Sequence, residues 1–317
     1  MTPMTEPEIT PQDEAARAGW LYYVGGLTQD QVAAELGVSR QRAQRLVARA
    51  MADGLVHVRL EHKISACLDL EVDLTRRFGL KLARVVPALP AGVDTAHATA
   101  PAAAQLLERY LAQPEPLIIA FGTGRSLSAM ASEVIRTPHA PHRIVSLISN
   151  IAPDGSASFY DVIMRMADKL QLPHYPMLVP VITDTIAERA LFNALRPVQA
   201  VMELAAKADV TFVGIGQMNE DAPLYKDGFI TREQHRDLQS AGAVGEIVGG
   251  VFDREGRYID TETTRLIGSF RIPAGREQPV IAIAAGLSKI PAMRAALKGQ
   301  LINGLVTDES TARALLA

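Results

Sequence analysis

The segment Leu27–Leu55 reads LTQDQVAAELGVSRQRAQRLVARAMADGL and carries the start signals of two short helices separated by one glycine. Thr28 stands at the N-cap position of the first helix, and Gln31, three residues later, completes a capping box. This helix is predicted to run from Gln29 to Leu36, and Gly37 then supplies the positive φ that a tight turn needs. Two capped helices joined by so short a turn predict a helix-turn-helix, whose second helix is free to enter a DNA major groove.

The second helix of this segment is predicted to begin after its N-cap, Ser39, and to run to about Ala52. At about 100° per residue one narrow face is apolar and must pack on the preceding helices, and its members are Ala43, Leu46, Val47 and Ala50. The remaining surface is rich in hydrogen-bond donors, since Arg suits guanine edges and Gln suits adenine. The predicted DNA-contacting residues are Thr28, Ser39, Arg40, Gln41, Arg42, Gln44, Arg45 and Arg49. The alternative reading is an ordinary solvated helical face.

A further helix is predicted ahead of this segment, from Asp13 to Val24. Its spacing indicates an apolar face made of Ala16, Trp20, Val24 and Leu27. Trp20, the single tryptophan, is therefore expected in the core. Residues 1–12 are polar and acidic, and we expect them to form a disordered tail. A DNA-binding domain is accordingly predicted over residues 13–62.

Composition excludes several classes of protein. The chain has 317 residues, a length that predicts two domains, and from its polar start and its short apolar runs we expect neither a secretory leader nor a membrane span. Cys67 is the only cysteine, so no intrachain disulfide or cysteine-rich metal site can form. The net charge is −3, yet basic residues concentrate between Arg40 and Lys63, as suits one DNA-binding module. These features predict a cytoplasmic protein.

Beyond about Ile64, apolar strand-like runs alternate with helical stretches, which is typical of a parallel sheet covered on both faces. The predicted strands are Ala83–Val86, Leu117–Phe121, Ile144–Ile148, Val210–Ile215, Val280–Ala285 and Leu301–Val306. The helical stretches between them include Pro101–Leu111, Ala187–Lys207 and Pro291–Leu297. The sequence thus predicts an α/β domain over residues 63–317, preceded by the all-α helix-turn-helix domain.

The loop that follows the second predicted strand is a candidate ligand cradle. Gly122, Thr123, Gly124, Arg125 and Ser126 lead directly into a helix, and glycines let backbone N–H groups approach a ligand while the helix N-terminus favours negative charge. In open α/β sheets, ligands lie beyond the carboxyl ends of the strands. The alternative is that a tight strand-to-helix turn needs these glycines anyway.

Taken in order, the motifs of the whole chain resemble the SorC family of sugar-binding transcriptional regulators, which is close to the DeoR-type repressors. The matching motifs are Thr28-Gln-x-x-Val-Ala-x-x-Leu-Gly-Val-Ser-Arg, Arg45-Leu, Asp53-Gly-Leu-Val, Phe121-Gly-Thr-Gly-Arg-Ser, Val213-Gly-Ile-Gly, Ala243-Val-Gly-Glu-Ile, Phe252-Asp-Arg-Glu-Gly, Ala285-Gly-Leu-Ser-Lys-Ile-Pro-Ala and Leu301-Ile-Asn-Gly-Leu-Val-Thr-Asp-Glu. The resemblance implies a Rossmann-like effector-binding domain, related to sugar-phosphate isomerases and CoA transferases. It also implies homodimers or homotetramers on double-stranded operator DNA.

The resemblance also implies an effector site. The candidate residues are Gly122, Thr123, Gly124, Arg125, Ser126, Asn150, Gly216, Gln217, Glu246 and Lys289. Asn150 and Gln217 are included because their amides could bind the hydroxyls of a polyol. Glu246 stands where the family commonly has Asp, which puts the fine geometry in doubt. The stretch Asn150–Ala157 and the Pro176–Pro180 region look most like regulators of polyol operons. Arg and Lys would suit a sugar phosphate, whereas carboxylates and amides would suit a polyol or sugar, and the sequence leaves this choice open.

Two other functions compete with an effector-controlled regulator. The first is an isomerase-like enzyme, but the seven histidines are scattered and none is paired with a carboxylate in a motif, so no catalytic residue, metal or cofactor is predicted. The second is a nucleotide-sensing repressor, but Leu127 occupies the position at which GxGxxG requires glycine. Asp253 fits a turn, and Asp308 fits a helix N-cap, better than either fits a ligand.

Overall fold

The computed structural model describes residues 10–317 apart from 57–63, 91, 137–139, 150, 153 and 158–159. The chain divides into two compact units, residues 1–61 and 62–317, and each is considered by itself. Of the predicted tail, residues 1–9 lie outside the described part, while Pro11 and Gln12 already belong to the first helix.

The first unit is a helix-turn-helix, as predicted. It consists of α1 (Pro11–Gly19), a π-helical turn (Trp20–Val24), α2 (Gln29–Leu36) and α3 (Arg40–Ala52). The capping box before α2 is formed, because the Gln31 N–H donates to Thr28 Oγ1 (3.3 Å) and the Thr28 N–H donates to Gln31 Oε1 (2.8 Å). Gly37 has φ +64°, and Ser39 Oγ accepts from the Arg42 N–H at 3.3 Å.

The buried face predicted for the first helix is wrong at three of its four residues, since only Leu27 packs against the core of this unit. Trp20 is 64% exposed and Val24 is 63% exposed, and Ala16 is exposed as well. The face that packs on α3 consists of small residues, Ala15, Ala18 and Gly19, because the two helices approach closely. A Cβ on Gly19 would lie 2.8 Å from Val56 Cγ2 and 2.9 Å from Ala50 Cβ, so this close approach excludes larger side chains and turns Trp20 outward.

The second unit is an α/β domain. Its elements are α4 (Ser65–Phe78), β1 (Leu82–Val86), α5 (Thr95–Leu111), β2 (Ile118–Phe121), α6 (Arg125–Glu133), β3 (Arg143–Ser146), α7 (Val162–Leu170), β4 (His174–Tyr175), α8 (Ile186–Ala194), α9 (Arg196–Ala206), β5 (Val210–Val213), β6 (Gly216–Gln217), α10 (Pro223–Lys226), α11 (Arg232–Ser240), β7 (Gly245–Ile247), β8 (Gly250–Phe252), α12 (Glu262–Leu266), β9 (Val280–Ile283), a 3-10 turn (Leu287–Lys289), α13 (Ile290–Lys298), β10 (Gly304–Asp308) and α14 (Glu309–Leu316).

Seven strands form one sheet in the order β1-β10-β9-β5-β2-β3-β4, and every neighbouring pair is parallel. All residues of the central strands β2, β5 and β9 are buried, because helices cover both faces of the sheet. The predicted α/β class is therefore confirmed. The carboxyl ends of these three strands meet along one edge, where the loops that leave them can share a site.

Three local features differ from the sequence-based prediction. The long helix predicted over Ala187–Lys207 breaks at Leu195, because Pro197 has no N–H to donate and its ring would collide with the preceding helical turn. The last strand, β10, begins at Gly304, and Leu301 is instead buried in the loop before it. Helix α4 was not predicted.

A small antiparallel sheet, β6-β7-β8, also escaped prediction, since its strands have only two or three residues. Strands β7 and β8 are joined by a two-residue turn, Val248-Gly249, with φ values of +55° and +70°. A β-branched residue at positive φ is uncommon and strained, and it persists only where the surroundings hold it. Val248 is buried and lies close to Gly122. A Cβ on Gly122 would be only 3.3 Å from Val248 Cγ2.

Candidate DNA-binding surface and ligand cavity

Helix α3 presents the predicted DNA-contacting residues to solvent. Its apolar face, Ala43, Leu46, Val47 and Ala50, is buried as the periodicity predicted. The exposed residues are Thr28 and Ser39 at the two N-caps, and Arg40, Gln41, Arg42, Gln44, Arg45 and Arg49 on α3 itself. Arginines and glutamines on the outward face of the second helix form a surface that can contact phosphates and base edges.

Most arginines of this surface have partners inside the first unit. Arg42 Nη2 contacts both carboxylate oxygens of Glu14 at 3.0 and 2.9 Å, Arg40 contacts Asp30 at 3.2 Å, and Arg49 contacts Asp53 at 3.0 Å. Such exposed ion pairs contribute only about 0–1 kcal/mol, so a DNA phosphate can replace the carboxylate.

Arg45 differs from these three, because within residues 10–56 its guanidinium forms no ion pair. Its Nε donates only to the Gln41 carbonyl, at 3.4 Å. A cation without a partner needs no carboxylate to be displaced before it contacts DNA.

The second unit contains a cavity of about 830 Å³, including its open mouth, beside the carboxyl ends of β2 and β5. Seven of the ten predicted effector-site residues line it, although they come from separate segments of the chain: Thr123, Gly124, Arg125, Ser126, Gly216, Glu246 and Lys289. A cavity in which a few polar groups are set among apolar walls is typical of a small-molecule site.

The other three predicted residues lie elsewhere. Gly122 lines an adjoining cavity of about 450 Å³, which shares Thr123, Ile148 and Tyr160 with the first. Gln217 does not reach the wall, because its side chain is buried and its Nε2 donates to the Asp221 carbonyl at 3.2 Å. Asn150 lies outside the described residues.

The loop after β2 offers unpaired backbone donors to the cavity. Gly124 has φ +111° and stands at the N-cap of α6, where no side chain caps the helix. The first backbone N–H groups of α6 are therefore without side-chain acceptors. Two of these N–H groups belong to Arg125 and Ser126, which line the cavity. Such a helix start binds an oxygen of a hydroxyl or an anion.

Glu246, in β7, supplies the carboxylate of the cavity. Its Oε2 accepts from the Gly249 N–H at 2.9 Å, and its Oε1 lies over β6, where a Cβ on Gly216 would be only 2.2 Å away. Gly216 is thus required for this carboxylate position. Burial raises the pKa of Glu246, while the Gly249 hydrogen bond and the charge of Lys289 act in the opposite direction.

Two cations and a second carboxylate complete the polar lining. Burial lowers the pKa of Lys289, and the nearby Arg125 charge lowers it further, whereas Glu246 and Asp94 oppose the change. Burial raises the pKa of Asp227, against the influence of Arg125. The wall therefore carries two carboxylates, Glu246 and Asp227, and two cationic groups, with no excess of positive charge.

Sequence reasoning missed several cavity residues. Tyr160, Asp227, Phe229, Val248 and Gly249 line the wall, but each belongs to a loop or turn that carries no periodic pattern. The sequence carries little signal for the Val248-Gly249 turn, because two-residue hairpins favour Asn-Gly, Asp-Gly or Gly-Gly and a valine rarely adopts positive φ.

The predicted turn and cap roles of the two other aspartates are confirmed. Asp253 Oδ1 accepts from the Glu255 and Arg257 N–H groups at 2.9 and 3.0 Å, and Asp308 Oδ1 accepts from the Thr311 N–H at 2.7 Å. The described residues contain no group of three or more His, Cys, Asp or Glu side chains that could hold a metal ion. No helix there has both the length and the hydropathy to cross a bilayer.

A helix-turn-helix with a donor-rich outward face, in one chain with an α/β unit whose cavity carries a few polar groups, defines a ligand-responsive transcriptional regulator. Residues 62–317 match the family model described as "Putative sugar-binding domain", and residues 9–62 match the MarR family. The protein belongs to this sugar-binding-domain family, and the resemblance to SorC-type regulators is confirmed.

Relatives cover almost the whole chain. The erythritol catabolism regulatory protein EryD of Brucella abortus is 34% identical over 302 residues, which cover 95% of this chain and 96% of that protein. The transcriptional regulator LsrR of Enterobacter sp. (strain 638) is 33% identical over 317 residues, covering 98% and 94%. The crystal structure of the full-length sorbitol operon regulator SorC from Klebsiella pneumoniae has a TM-score of 0.72 and 26% identity, covering 96% and 98%.

Proposed function

We propose that this protein controls an operon of carbohydrate or polyol catabolism, with α3 contacting operator DNA and the cavity of the second unit binding an uncharged polyol or sugar. The names of two relatives support the class of effector, since one refers to erythritol catabolism and another to a sorbitol operon. The observation that carries the choice is Glu246, whose carboxylate faces the cavity over Gly216 beside Lys289.

The charge of the cavity favours an uncharged effector over a phosphorylated one. A phosphate monoester carries a charge of about −1.5 to −2 at neutral pH and binds best where positive charge is in excess. Here Arg125 and Lys289 face Glu246 and Asp227, so the charges balance. Carboxylates accept hydrogen bonds from hydroxyls, while the lysine and the uncapped start of α6 donate to them, so this wall matches a polyol.

Three further assignments belong to this proposal. The effector contacts are assigned to the seven predicted residues that line the cavity, and Gln217 is assigned a supporting position behind the wall. The cavity is a sensor site without catalytic turnover, as expected from relatives that are regulators. The protein acts in the cytoplasm as a homodimer or homotetramer, because paired helix-turn-helix units match the two half-sites of an operator.

A thermal-shift screen of the purified protein tests the effector assignment, with erythritol, sorbitol, mannitol and the corresponding phosphates as probes. A ligand at 100 times its Kd stabilises the fold by about 2.7 kcal/mol, which is readily measured. We expect at least one free polyol to raise the Tm and Glu246→Gln to reduce that rise. A shift by the phosphates alone would replace the polyol assignment with a phosphate site anchored by Arg125 and Lys289. No shift with any probe would contradict an effector of this class.

A further inference from the structure

Helix α8 has its apolar side turned toward solvent. Apart from Phe192, its apolar residues fall on one half of the helical wheel, in two i, i+4 rows that Leu195 extends, and they are Ile186, Ala187, Ala190, Leu191 and Ala194. All are exposed, Leu191 to 71% and Ile186 to 47% of its surface, and no residue of α8 is buried. The helix of a monomer normally shows the opposite arrangement, with its apolar stripe against the core.

The opposite side of α8 is held to the second unit. Arg189 Nε donates to the Ile267 carbonyl at 3.0 Å, and Phe192 packs against the main hydrophobic core. At the start of the helix, Glu188 Oε2 accepts from the Asp184 N–H at 3.0 Å. These contacts fix the rotation of the helix, so the exposed apolar stripe is not a consequence of a loosely attached element.

The charges at the two ends of α8 indicate which partner packs against this apolar stripe. Asp184 precedes the helix, Arg196 follows it, both are exposed, and neither forms an ion pair among the described residues. If two copies of the stripe pack antiparallel about a two-fold axis, Asp184 lies beside the partner's Arg196 at both ends. The same arrangement brings Ile186 next to the partner's Ala194 and places Ala190 at the two-fold axis.

We propose that the α8 stripe, Ile186 to Leu195 with Asp184 and Arg196 at its ends, is a self-association surface whose partner is the α8 stripe of a second copy of this chain. The inference deepens the proposed homo-oligomeric regulator and rests on it for the choice of a second copy. Nine helical residues form a helix only about 14 Å long. The surface that so short a helix can bury is smaller than the ~800 Å² per partner of a standard interface. The contact therefore dissociates on dilution, or forms one part of a larger oligomer interface.

Sedimentation of the full-length protein over a range of concentrations, without DNA or ligand, tests this surface. We expect Leu191→Glu to shift the mass distribution toward the smaller species and to raise the dissociation constant about tenfold or more, because it buries a charge at the centre of the stripe. Val72→Glu, at an exposed apolar position of α4, is the matched control and should change the constant less than twofold. An unchanged mass distribution in Leu191→Glu, an equal shift in the control, or a wild type that is monomeric throughout would overturn the proposal.

Charge reversal tests the two-fold geometry independently of the apolar contact. We expect Asp184→Arg and Arg196→Asp each to raise the dissociation constant severalfold, and the double variant to return it to within about twofold of wild type, because the pair is restored with its signs exchanged. Absence of this rescue would exclude the antiparallel arrangement. The far-UV circular dichroism and Tm of each variant establish that it is folded. Since no readout involves DNA or effector, failure of the proposed function would leave this result intact.

Discussion

The arginines and glutamines proposed to contact DNA come from neighbouring turns of one helix, α3, whereas in the cavity Gly124, Glu246 and Lys289 come from three distant segments. The arginines of α3 are exposed, and their ion pairs are exchangeable. The charges of the cavity are partly removed from water, so their pKa values shift and their positions depend on individual glycines. A single substitution should therefore weaken DNA binding only in part, whereas a single substitution in the cavity should remove most of the ligand binding.

The largest expected effect is at Gly216. In Gly216→Ala, the new Cβ would lie 2.2 Å from Glu246 Oε1, so the carboxylate must leave its place and its bond to Gly249. We expect the polyol-dependent stabilisation, about 2.7 kcal/mol at 100 times the Kd, to be lost. Gly214→Ala is the matched control on the same wall, since its Cβ would approach nothing nearer than 3.7 Å. Equal responses of the two variants in thermal-shift titrations would remove Glu246 from the site.

The next effect in size concerns the unpaired arginine of α3. Arg45→Ala should weaken operator binding by about 1–3 kcal/mol, because among the described residues of the first unit its guanidinium forms no ion pair that DNA would have to displace. Arg42→Ala should cost less, since Arg42 must first release Glu14. Fluorescence-anisotropy titrations on the DNA upstream of its own operon, at two salt concentrations, measure both. A larger loss for Arg42→Ala would mean that the Glu14 pair does not compete with DNA.

A smaller effect is expected in the pH dependence of stability. Because burial raises the pKa of Glu246 above its ordinary value of 4.5, the folded protein holds this proton more tightly than the unfolded chain does. The free energy of unfolding therefore falls as the pH rises from near 4.5 through the raised pKa, and Glu246→Gln, which cannot ionise, should lack this component. Urea unfolding of the ligand-free proteins in steps from pH 4 to 8 measures the difference. Identical profiles would show that the carboxylate is solvated in both states.

The smallest effect is expected at Trp20, which the helical periodicity of the sequence places in the core and the structure places at the surface. With 64% of its surface exposed, Trp20→Gln should change the free energy of unfolding by no more than about 0.5 kcal/mol. Gly19→Ala, one residue earlier, should cost about 1–3 kcal/mol, because its Cβ would collide with Val56 and Ala50. Denaturant unfolding followed by circular dichroism compares them. A cost above 1 kcal/mol for Trp20→Gln would show that the indole is covered in solution.

The sequence predicts the helix-turn-helix well because its signals are local. A capping box, a positive-φ glycine and an apolar row at helical spacing each act within a few residues, and all appear at the predicted positions. The parallel sheet is also predictable, since its central strands are near-continuous apolar runs. The cavity loop of Gly122–Ser126 was found by the same local logic, as a glycine-rich turn between strand and helix.

Sequence alone therefore determined the two-unit organisation, the outward-facing arginines of α3 and the glycine loop after β2. Only the tertiary structure decided that small residues pack α1 against α3, that Gly216 makes room for Glu246, and that Val248 is held at positive φ beside the cavity. The physical reason is distance along the chain. Periodicity and capping report contacts between near neighbours, whereas close packing and shifted pKa values arise between segments that meet only when the chain has folded.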